Sequence, residues 1–150
     1  MKVVIDMKIG LASDHRGYYT KKAIKKILDE YSYDYEDYGT HSEDSVDYVD
    51  YAKALSENVQ NKVVDLGIAI CGTGIGMSIT CNKFKGIRCA KVNTKEEAEL
   101  ARLHNDANIM ALPATLDMDS LKDIVLNFIK TEFSNEERHK RRIEKINELE

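Results

Sequence analysis

Residues 66–76 read LGIAICGTGIG, and this stretch decides the fold. Its first six residues form an apolar run of strand length, and glycines follow at Gly72, Gly74 and Gly76. A short apolar run bounded by glycines is typical of a buried strand, and glycine allows the positive φ values and close backbone contacts of a tight loop. We therefore predict a buried strand over 66–71, a glycine loop, and a helix over 77–83.

Short apolar runs alternate with longer amphipathic stretches on both sides of this unit. We predict strands over 8–12, 33–38, 66–71, 87–92 and 108–112, and helices over 17–31, 46–59, 77–83, 94–104, 120–131 and 135–149. Repeated strand-then-helix units imply a parallel sheet covered by helices on both faces. The predicted fold is therefore an α/β domain of three layers, α/β/α, around a five-stranded parallel sheet.

The composition is that of one globular domain, and it argues against several other classes of protein. The chain has 150 residues, of which 43% are hydrophobic and 32% are charged. This length can bury one core, and the apolar content is too high for a disordered chain. The net charge of −4 argues against a molecule that binds nucleic acid. We expect a single domain over 1–150 with no nucleic-acid partner.

The cysteine content and the lack of long apolar runs predict a cytoplasmic protein. The three cysteines, Cys71, Cys81 and Cys89, form no CxxC pair, so the sequence predicts neither a zinc site nor a disulfide framework. No apolar run approaches the length of about 18 residues that a membrane span requires. The N-terminus also lacks the apolar region of a signal peptide. We therefore expect no membrane association.

The glycine loop and Cys71 together predict a site for an anion. Ligands of a parallel sheet bind beyond the carboxyl ends of its strands, and successive N–H groups of such a loop can point at one negative group. Cys71 comes directly before these N–H groups, so we expect the start of the following helix to stabilise its thiolate as a base beside an oxyanion. The loop matches neither the Walker A nor the GxGxxG motif. Two alternatives stay open: a turn that serves only packing, and an inert buried thiol.

Two pairs of polar residues are further candidates for the same site. Asp14 and His15 follow the first strand, although Asp14 can also serve as a cap for the next helix. His104 and Asn105 precede the last strand, which makes the carboxyl edge hard for them to reach within one subunit. A site completed by a second subunit would remove this difficulty. The alternative for His104 and Asn105 is a solvated helix end, where a histidine is favourably placed at the dipole.

Arg138 and Arg142 are four residues apart and therefore share one face of the last predicted helix. Two guanidinium groups on one face suit a phosphate dianion. The alternative is a charged face that only contacts solvent, which is common on terminal helices. The two arginines are thus candidates for phosphate binding.

Four separated motifs occur in order along the chain: SDH at 13–15, CGTGIG at 71–76, HND at 104–106 and RHKRR at 138–142. With them the chain resembles the type B ribose-5-phosphate isomerases, a family shared with the galactose-6-phosphate isomerase subunits. The resemblance extends from about residue 7 to about residue 149, so residues 1–6 are a candidate N-terminal extension. It implies a Rossmann-like domain without metal or other cofactor. It also implies a homodimer or homotetramer with a shared active site for a small-molecule sugar phosphate.

The resemblance implies catalytic roles in the interconversion of ribose 5-phosphate and ribulose 5-phosphate. Cys71 is the base that moves a proton between C1 and C2, and the amides of residues 72–76 hold the negative oxygen of a cis-enediolate. Thr73 assists proton movement at the sugar oxygens. His104, with Asp14 as its partner, opens the furanose ring.

The resemblance also implies the residues that bind the substrate. Asn105 contacts the intermediate and Tyr48 lines the pocket, while the phosphate is bound by His15 and the two arginines of the last helix. The predicted substrate-binding residues are His15, Tyr48, Gly72, Gly74, Gly76, Asn105, Arg138 and Arg142.

Several features of the sequence bear on the substrate. The chain keeps both Cys71 and His104, whereas each galactose-6-phosphate isomerase subunit lacks one of the two motifs, which favours ribose 5-phosphate. Many relatives carry an arginine after the last strand, where this chain has the stretch 112–115, and Arg16 adds positive charge beside His15. The alternatives are isomerisation of a six-carbon sugar phosphate such as allose 6-phosphate, a non-catalytic sugar-phosphate-binding module, and a thiol redox sensor.

Overall fold

The computed structural model describes residues 6–150 as strands and helices that alternate along the chain. The strands are β1 (Lys8–Ser13), β2 (Asp34–Asp37), β3 (Leu66–Cys71), β4 (Cys89–Lys91) and β5 (Ile109–Pro113). The helices are α1 (Tyr18–Glu30), α2 (Tyr48–Gln60), α3 (Ile75–Cys81), α4 (Lys95–Asn105), α5 (Met118–Lys130) and α6 (Glu137–Asn147). Residues 1–5 lie outside the described part, so the extension over 1–6 remains a prediction.

Within residues 6–150 the sheet has five strands, all parallel, in the order β2-β1-β3-β5-β4. The central strand β3 pairs with β1 from Leu66 opposite Ile9, and with β5 from Gly67 opposite Ile109. Every residue of β3 is buried, as its continuous apolar sequence predicts. The five-stranded parallel sheet is confirmed, and the residues that follow its strands collect at one edge, the carboxyl edge.

Helices cover both faces of the sheet and enclose an apolar core on each. On one face α1, α4 and α5 contribute side chains such as Ile24 and Phe128. On the other face α2 and α3 contribute side chains such as Leu55 and Met77. The predicted three-layer α/β/α arrangement is therefore confirmed. None of the helices described within residues 6–150 has the length and apolarity needed to cross a bilayer.

Some elements differ in length from the sequence-based prediction. Helix α3 begins at Ile75 and not at Met77, because Gly74 adopts a φ of 81° and turns the chain directly into the helix. The strands β2 and β4 are shorter than predicted, and both lie at edges of the sheet, where a strand pairs on one side only. Helix α4 is capped by Thr94, whose side-chain oxygen accepts a hydrogen bond from the Glu97 N–H at 3.1 Å.

The buried face of α1 contains a charged residue that the apolar pattern does not reveal. Lys21 is 1% exposed, whereas Tyr19, which the spacing places on the apolar face, is 60% exposed. The Lys21 Nζ donates to Asp37 Oδ1 at 2.6 Å and to the Thr40 carbonyl at 2.5 Å. A buried ammonium requires such acceptors, because desolvation without them costs several kcal/mol.

This ion pair holds the turn after β2 against the carboxyl edge. The Ser13 N–H donates to the Gly39 carbonyl at 2.8 Å, and the Thr40 N–H donates to the Ser13 carbonyl at 2.7 Å. Burial raises the pKa of the Asp37 carboxyl, but hydrogen bonds from Lys21 and neighbouring donors outweigh burial and hold that pKa below its ordinary value. Asp37 is therefore charged near neutral pH and serves as the counter-ion of Lys21.

We predict that Asp37→Asn lowers the free energy of unfolding by about 3–5 kcal/mol, because it leaves the Lys21 ammonium buried without its counter-ion. Urea denaturation followed by circular dichroism measures the loss. Lys25→Gln is the matched control, since Lys25 binds the other Asp37 oxygen at 3.1 Å but its side chain is 35% exposed. We expect the control to lose less than about 1 kcal/mol. Equal losses in the two variants would contradict the assigned role of the buried pair.

Candidate active site

Cys71 ends the central strand at the carboxyl edge and lies beside the backbone of the glycine loop. Its side chain is 5% exposed and packs in the core on the α2 and α3 face of the sheet. The Gly74 N–H donates to the Cys71 Sγ at 3.2 Å. A backbone N–H of the loop therefore points directly at the sulfur.

The glycine loop is shaped by contacts that only glycines allow. A Cβ at Gly74 would lie 3.0 Å from the Leu112 carbonyl carbon, and the φ of 81° there suits glycine alone. A Cβ at Gly76 would lie 2.5 Å from the Tyr48 Cζ, so the Tyr48 ring packs directly on the loop. Within residues 6–150 the N–H groups of Gly72 and Thr73 donate to no protein acceptor. They are therefore available to an anionic ligand.

Thr73 stands at the exposed side of this loop. Its hydroxyl oxygen accepts a hydrogen bond from the Ile75 N–H at 3.2 Å, which holds the side chain over the start of α3. The hydroxyl proton remains free for donation, since the oxygen is used there as an acceptor. Thr73 can thus exchange a proton with a ligand bound above the loop.

Asp14 and His15 lie beside this loop, after β1. Asp14 is buried, and its Oδ1 accepts hydrogen bonds from the N–H groups of Arg16 and Gly17, each at 3.0 Å. Asp14 therefore orders the turn before α1, but it is not the cap of that helix, because the N-cap position is Gly17 and no side chain caps α1. The His15 Nδ1 accepts from the Val46 N–H at 3.2 Å, so a neutral His15 carries its proton on Nε2. That N–H remains available to a ligand.

His104 and Asn105 lie at the opposite, amino edge of the sheet. Helix α4 ends at Asn105, whose carbonyl accepts a hydrogen bond at 3.0 Å from the Nε of Arg88, the residue before β4. The strands separate this edge from the carboxyl edge by about 17 Å, at about 3.3 Å per residue. Within one subunit His104 therefore does not reach Cys71, as its position before the last strand predicts.

A second histidine packs against His104 at the amino edge. The ring centroids of His104 and His139 are 4.4 Å apart, and the His139 Nδ1 lies 2.6 Å from the Ser134 Oγ. Burial, together with the positive charge of Arg138, lowers the pKa of His139. A neutral His139 ring therefore holds the His104 imidazole in place without adding charge beside it.

Arg138 and Arg142 lie on α6, which runs along this same amino edge. Both side chains are exposed, and Arg138 forms an ion pair with Glu136. Because the two arginines are one helical turn apart, their guanidinium groups can converge on one phosphate. They lie near His104 and not near Cys71.

The structure thus divides the candidate residues into two groups. The carboxyl-edge group contains Asp14, His15, Tyr48, Cys71, Gly72, Thr73, Gly74 and Gly76, and the amino-edge group contains His104, Asn105, Arg138 and Arg142. A cavity of about 620 Å³ opens at the amino edge, with Asn105, Arg88 and Ile146 among its lining residues. The residues of one subunit therefore supply two half-sites at opposite edges.

Two contacts of these half-sites cannot be predicted from the sequence. The packing of His139 on His104 is invisible because the two residues are 35 positions apart in the chain. The Arg16 guanidinium lies so close to the loop that a Cβ on Gly72 would be 2.7 Å from its Cζ. All three cysteines are free thiols, and Cys81 and Cys89 pack in the same core as Cys71, on the α2 and α3 face of the sheet.

The sequence matches the model of the ribose/galactose isomerase family over residues 9–146. Ribose-5-phosphate isomerase B of Escherichia coli is 37% identical over 144 residues, which cover 95% of this chain and 96% of that protein. A relative from Bacillus subtilis is 44% identical over 146 residues, which cover 96% of this chain and 97% of that protein. The name of this second relative specifies sugar phosphate isomerisation but no particular sugar.

Solved structures of similar proteins have the same fold. Ribose-5-phosphate isomerase B of Clostridium thermocellum superposes with a TM-score of 0.92 at 44% identity, covering 95% of this chain and 97% of that chain. Ribose-5-phosphate isomerase B of Mycoplasma genitalium, solved with bound ribulose 5-phosphate, gives a TM-score of 0.90 at 36% identity, covering 97% of each chain. The chain is an isomerase, and it belongs to the ribose/galactose isomerase family.

Proposed function

We propose that this chain interconverts ribose 5-phosphate and ribulose 5-phosphate through a cis-enediolate, with Cys71 as the base. The observation that carries the proposal is the 3.2 Å hydrogen bond from the Gly74 N–H to the Cys71 Sγ, beside the unused N–H groups of Gly72 and Thr73. A base and donors for an oxyanion are thereby adjacent. The bound ribulose 5-phosphate of the Mycoplasma genitalium relative supports the choice of substrate.

The chemistry follows from this arrangement. The Cys71 thiolate removes the proton from C2 of the open-chain aldose, and the electrons form the C1–C2 double bond with negative charge on O1. The loop N–H groups bind this charged oxygen more strongly than the neutral carbonyl, which lowers the barrier. The Thr73 hydroxyl moves the proton of O2 to O1. The Cys71 thiol then returns its proton to C1, which gives the ketose without any net change in atoms.

The site is shared between two copies of the chain in this proposal. The His104 of the partner subunit, assisted by Asp14, opens the furanose ring, because the His104 of the same subunit lies at the other edge of the sheet. Asn105 of the partner subunit contacts the intermediate, while Tyr48 lines the pocket over Gly76. A two-fold symmetric dimer places the carboxyl-edge group of each copy against the amino-edge group of the other, which makes two equivalent sites.

The phosphate group is bound from both copies. His15 offers its Nε2–H from the carboxyl-edge group, and Arg138 and Arg142 of the partner subunit approach from the other side. A phosphate dianion suits such a set of donors, since guanidinium groups form charge-assisted hydrogen bonds with it. We also propose that the protein works in the cytoplasm, which its free cysteines Cys71, Cys81 and Cys89 support.

A six-carbon sugar phosphate such as allose 6-phosphate is the second candidate substrate. It is supported by the relative from Bacillus subtilis, whose name specifies no sugar. The loop and Cys71 act only on C1, C2 and their oxygens, which both sugars share. The two substrates therefore differ in the length of chain between the reacting carbons and the phosphate.

We predict that Cys71→Ala lowers kcat for ribose 5-phosphate by about 10²-fold or more, because it removes the base but leaves the loop N–H groups in place. Formation of ribulose 5-phosphate by the chelator-treated enzyme measures the effect, with allose 6-phosphate assayed in parallel. Cys89→Ala is the matched control and should keep activity within about twofold, since this thiol lies outside the carboxyl-edge group.

Gel filtration and circular dichroism establish that both cysteine variants remain folded and assembled. Full activity of a folded Cys71→Ala would contradict the assignment of Cys71 as the base. Wild-type turnover of the hexose phosphate alone would retain the mechanism and change the substrate. Absence of turnover with both sugars would refute the isomerase proposal and favour the sugar-phosphate-binding module.

We predict that Cys71→Ala and His104→Ala complement each other in mixed dimers. Each variant alone should be inactive, but a mixed dimer contains one site with both an intact Cys71 and an intact His104. Random pairing of co-expressed chains should therefore restore about a quarter of wild-type activity. Differently tagged chains allow the mixed dimer to be purified and assayed.

The control for this complementation is the pair Cys71→Ala and Thr73→Ala. Both changes lie in the carboxyl-edge group of one chain, so each site of their mixed dimer carries one defect. No recovery is expected for this pair. Absence of recovery for Cys71→Ala with His104→Ala, in a purified mixed dimer, would contradict the shared site.

A further inference from the structure

The side chain of Arg16 lies at the carboxyl edge and has no part in the chemistry proposed for Cys71. Its backbone N–H binds Asp14, while its exposed side chain reaches back over the glycine loop. A Cβ placed on Gly72 would lie 2.7 Å from the Arg16 Cζ, 2.8 Å from Nη1 and 2.9 Å from Nε. The guanidinium therefore lies directly against the Gly72 backbone, in the space that a side chain at position 72 would occupy.

The guanidinium of Arg16 has no counter-ion at this position. No carboxylate within residues 6–150 lies within 4.0 Å of its nitrogens, and its side chain donates to no protein acceptor there. The nearby Lys21 differs, since its ammonium is buried and already bound to Asp37 and Thr40. Arg16 is thus a solvated cation held beside the anion loop and free to bind a ligand.

The position of Arg16 relative to the sheet indicates which end of a ligand it meets. Side chains alternate across a strand, so Cys71 points to the α2 and α3 face, whereas Gly72 presents its Cα hydrogens to the α1 face, where Arg16 lies. The reacting carbons must lie at the Cys71 Sγ. The Arg16 guanidinium lies on the other side of the loop, where the phosphorylated end of the ligand can extend away from C1 and C2.

Arg16 differs from the other arginines in its position relative to the strands. The sequence has six arginines, at 16, 88, 102, 138, 141 and 142. Arg16 alone follows the carboxyl end of a strand, whereas the others precede β4 or lie on α4 and α6. It is consequently the guanidinium that one subunit can bring to its own Cys71.

We propose that Arg16 is a further substrate-binding residue, which binds the phosphate of the sugar phosphate from the same subunit that supplies Cys71. The inference rests on the proposed sugar-phosphate isomerase function and adds to it a residue that determines affinity for the phosphorylated end. Together with the His15 imidazole next to it, Arg16 gives the carboxyl-edge half-site donors for an anion before a partner subunit contributes. Charge-assisted hydrogen bonds from a guanidinium to a phosphate are among the stronger polar contacts in proteins.

Kinetics of Arg16→Gln, Arg16→Lys and the wild type test this inference. We expect Arg16→Gln to raise KM for ribose 5-phosphate by about 10-fold or more and to change kcat by less than about threefold, because the contact is made equally in the ground and transition states. Arg16→Lys should recover part of the affinity, as a point charge replaces the planar donor. A residue with only a structural role would not be rescued in this graded way.

A direct binding measurement accompanies the kinetics and does not depend on turnover. Isothermal titration calorimetry of the intact protein with inorganic phosphate gives Kd for each variant. We expect Arg16→Gln to raise this Kd by about the same factor as KM. Lys26→Gln, which removes one exposed positive charge from the outer part of α1, is the control and should change neither value by more than about twofold.

The possible results distinguish an incorrect role for Arg16 from an incorrect isomerase function. Turnover by the wild type with unchanged KM and unchanged phosphate Kd in Arg16→Gln would overturn the role of Arg16 and leave the isomerase proposal standing. A fall in kcat with unchanged phosphate Kd would also overturn it, since that result would place the guanidinium on the enediolate. A wild type without turnover would refute the isomerase proposal, and the phosphate titration would then decide whether Arg16 binds phosphate.

Discussion

The parallel direction of the strands is the constraint on which the rest of the structure depends. Because every strand runs the same way, each segment that follows a strand emerges at one edge and each segment that precedes a strand lies at the other. Cys71 ends β3 and Asp14 follows β1, whereas His104 precedes β5. This single geometric fact separates the chemistry of the chain into two half-sites, and it is the reason that the proposed site requires two copies.

The carboxyl-edge half-site is built by backbone contacts more than by side chains. Gly74 lies against the Leu112 carbonyl, Gly76 lies under the Tyr48 ring, and Gly72 lies under the Arg16 guanidinium. Each close approach brings an element from a different part of the sheet to the same loop. These contacts define the path of the loop backbone and the direction of its free N–H groups, and donors already in place are the condition for effective stabilisation of a developing negative charge.

The positive side chains at the two edges of the sheet differ in whether they are paired with a counter-ion. The buried Lys21 ammonium is neutralised by Asp37 and holds the turn at Thr40, so it contributes to the shape of the carboxyl edge but not to its free charge. Arg16 stays solvated and unpaired within residues 6–150, and supplies that charge. At the amino edge a neutral His139 packs on His104 and leaves the positive charge to the arginines of α6. Each half-site is therefore ready for an anionic ligand while its interior remains electrostatically balanced.

The sequence by itself determined the architecture, because periodic apolar patterns and glycine positions are local signals. The candidate roles of Thr73, Tyr48 and Asn105 came from the resemblance of its motifs to those of a family. The run at 66–71 predicts β3 with its correct bounds, and the glycines after it predict the loop. The tertiary structure alone decided which residues meet. The burial of Lys21, the packing of His139 on His104 and the position of Arg16 over Gly72 depend on segments that are distant in the chain. Such contacts arise from the packing of whole elements, which no local pattern encodes.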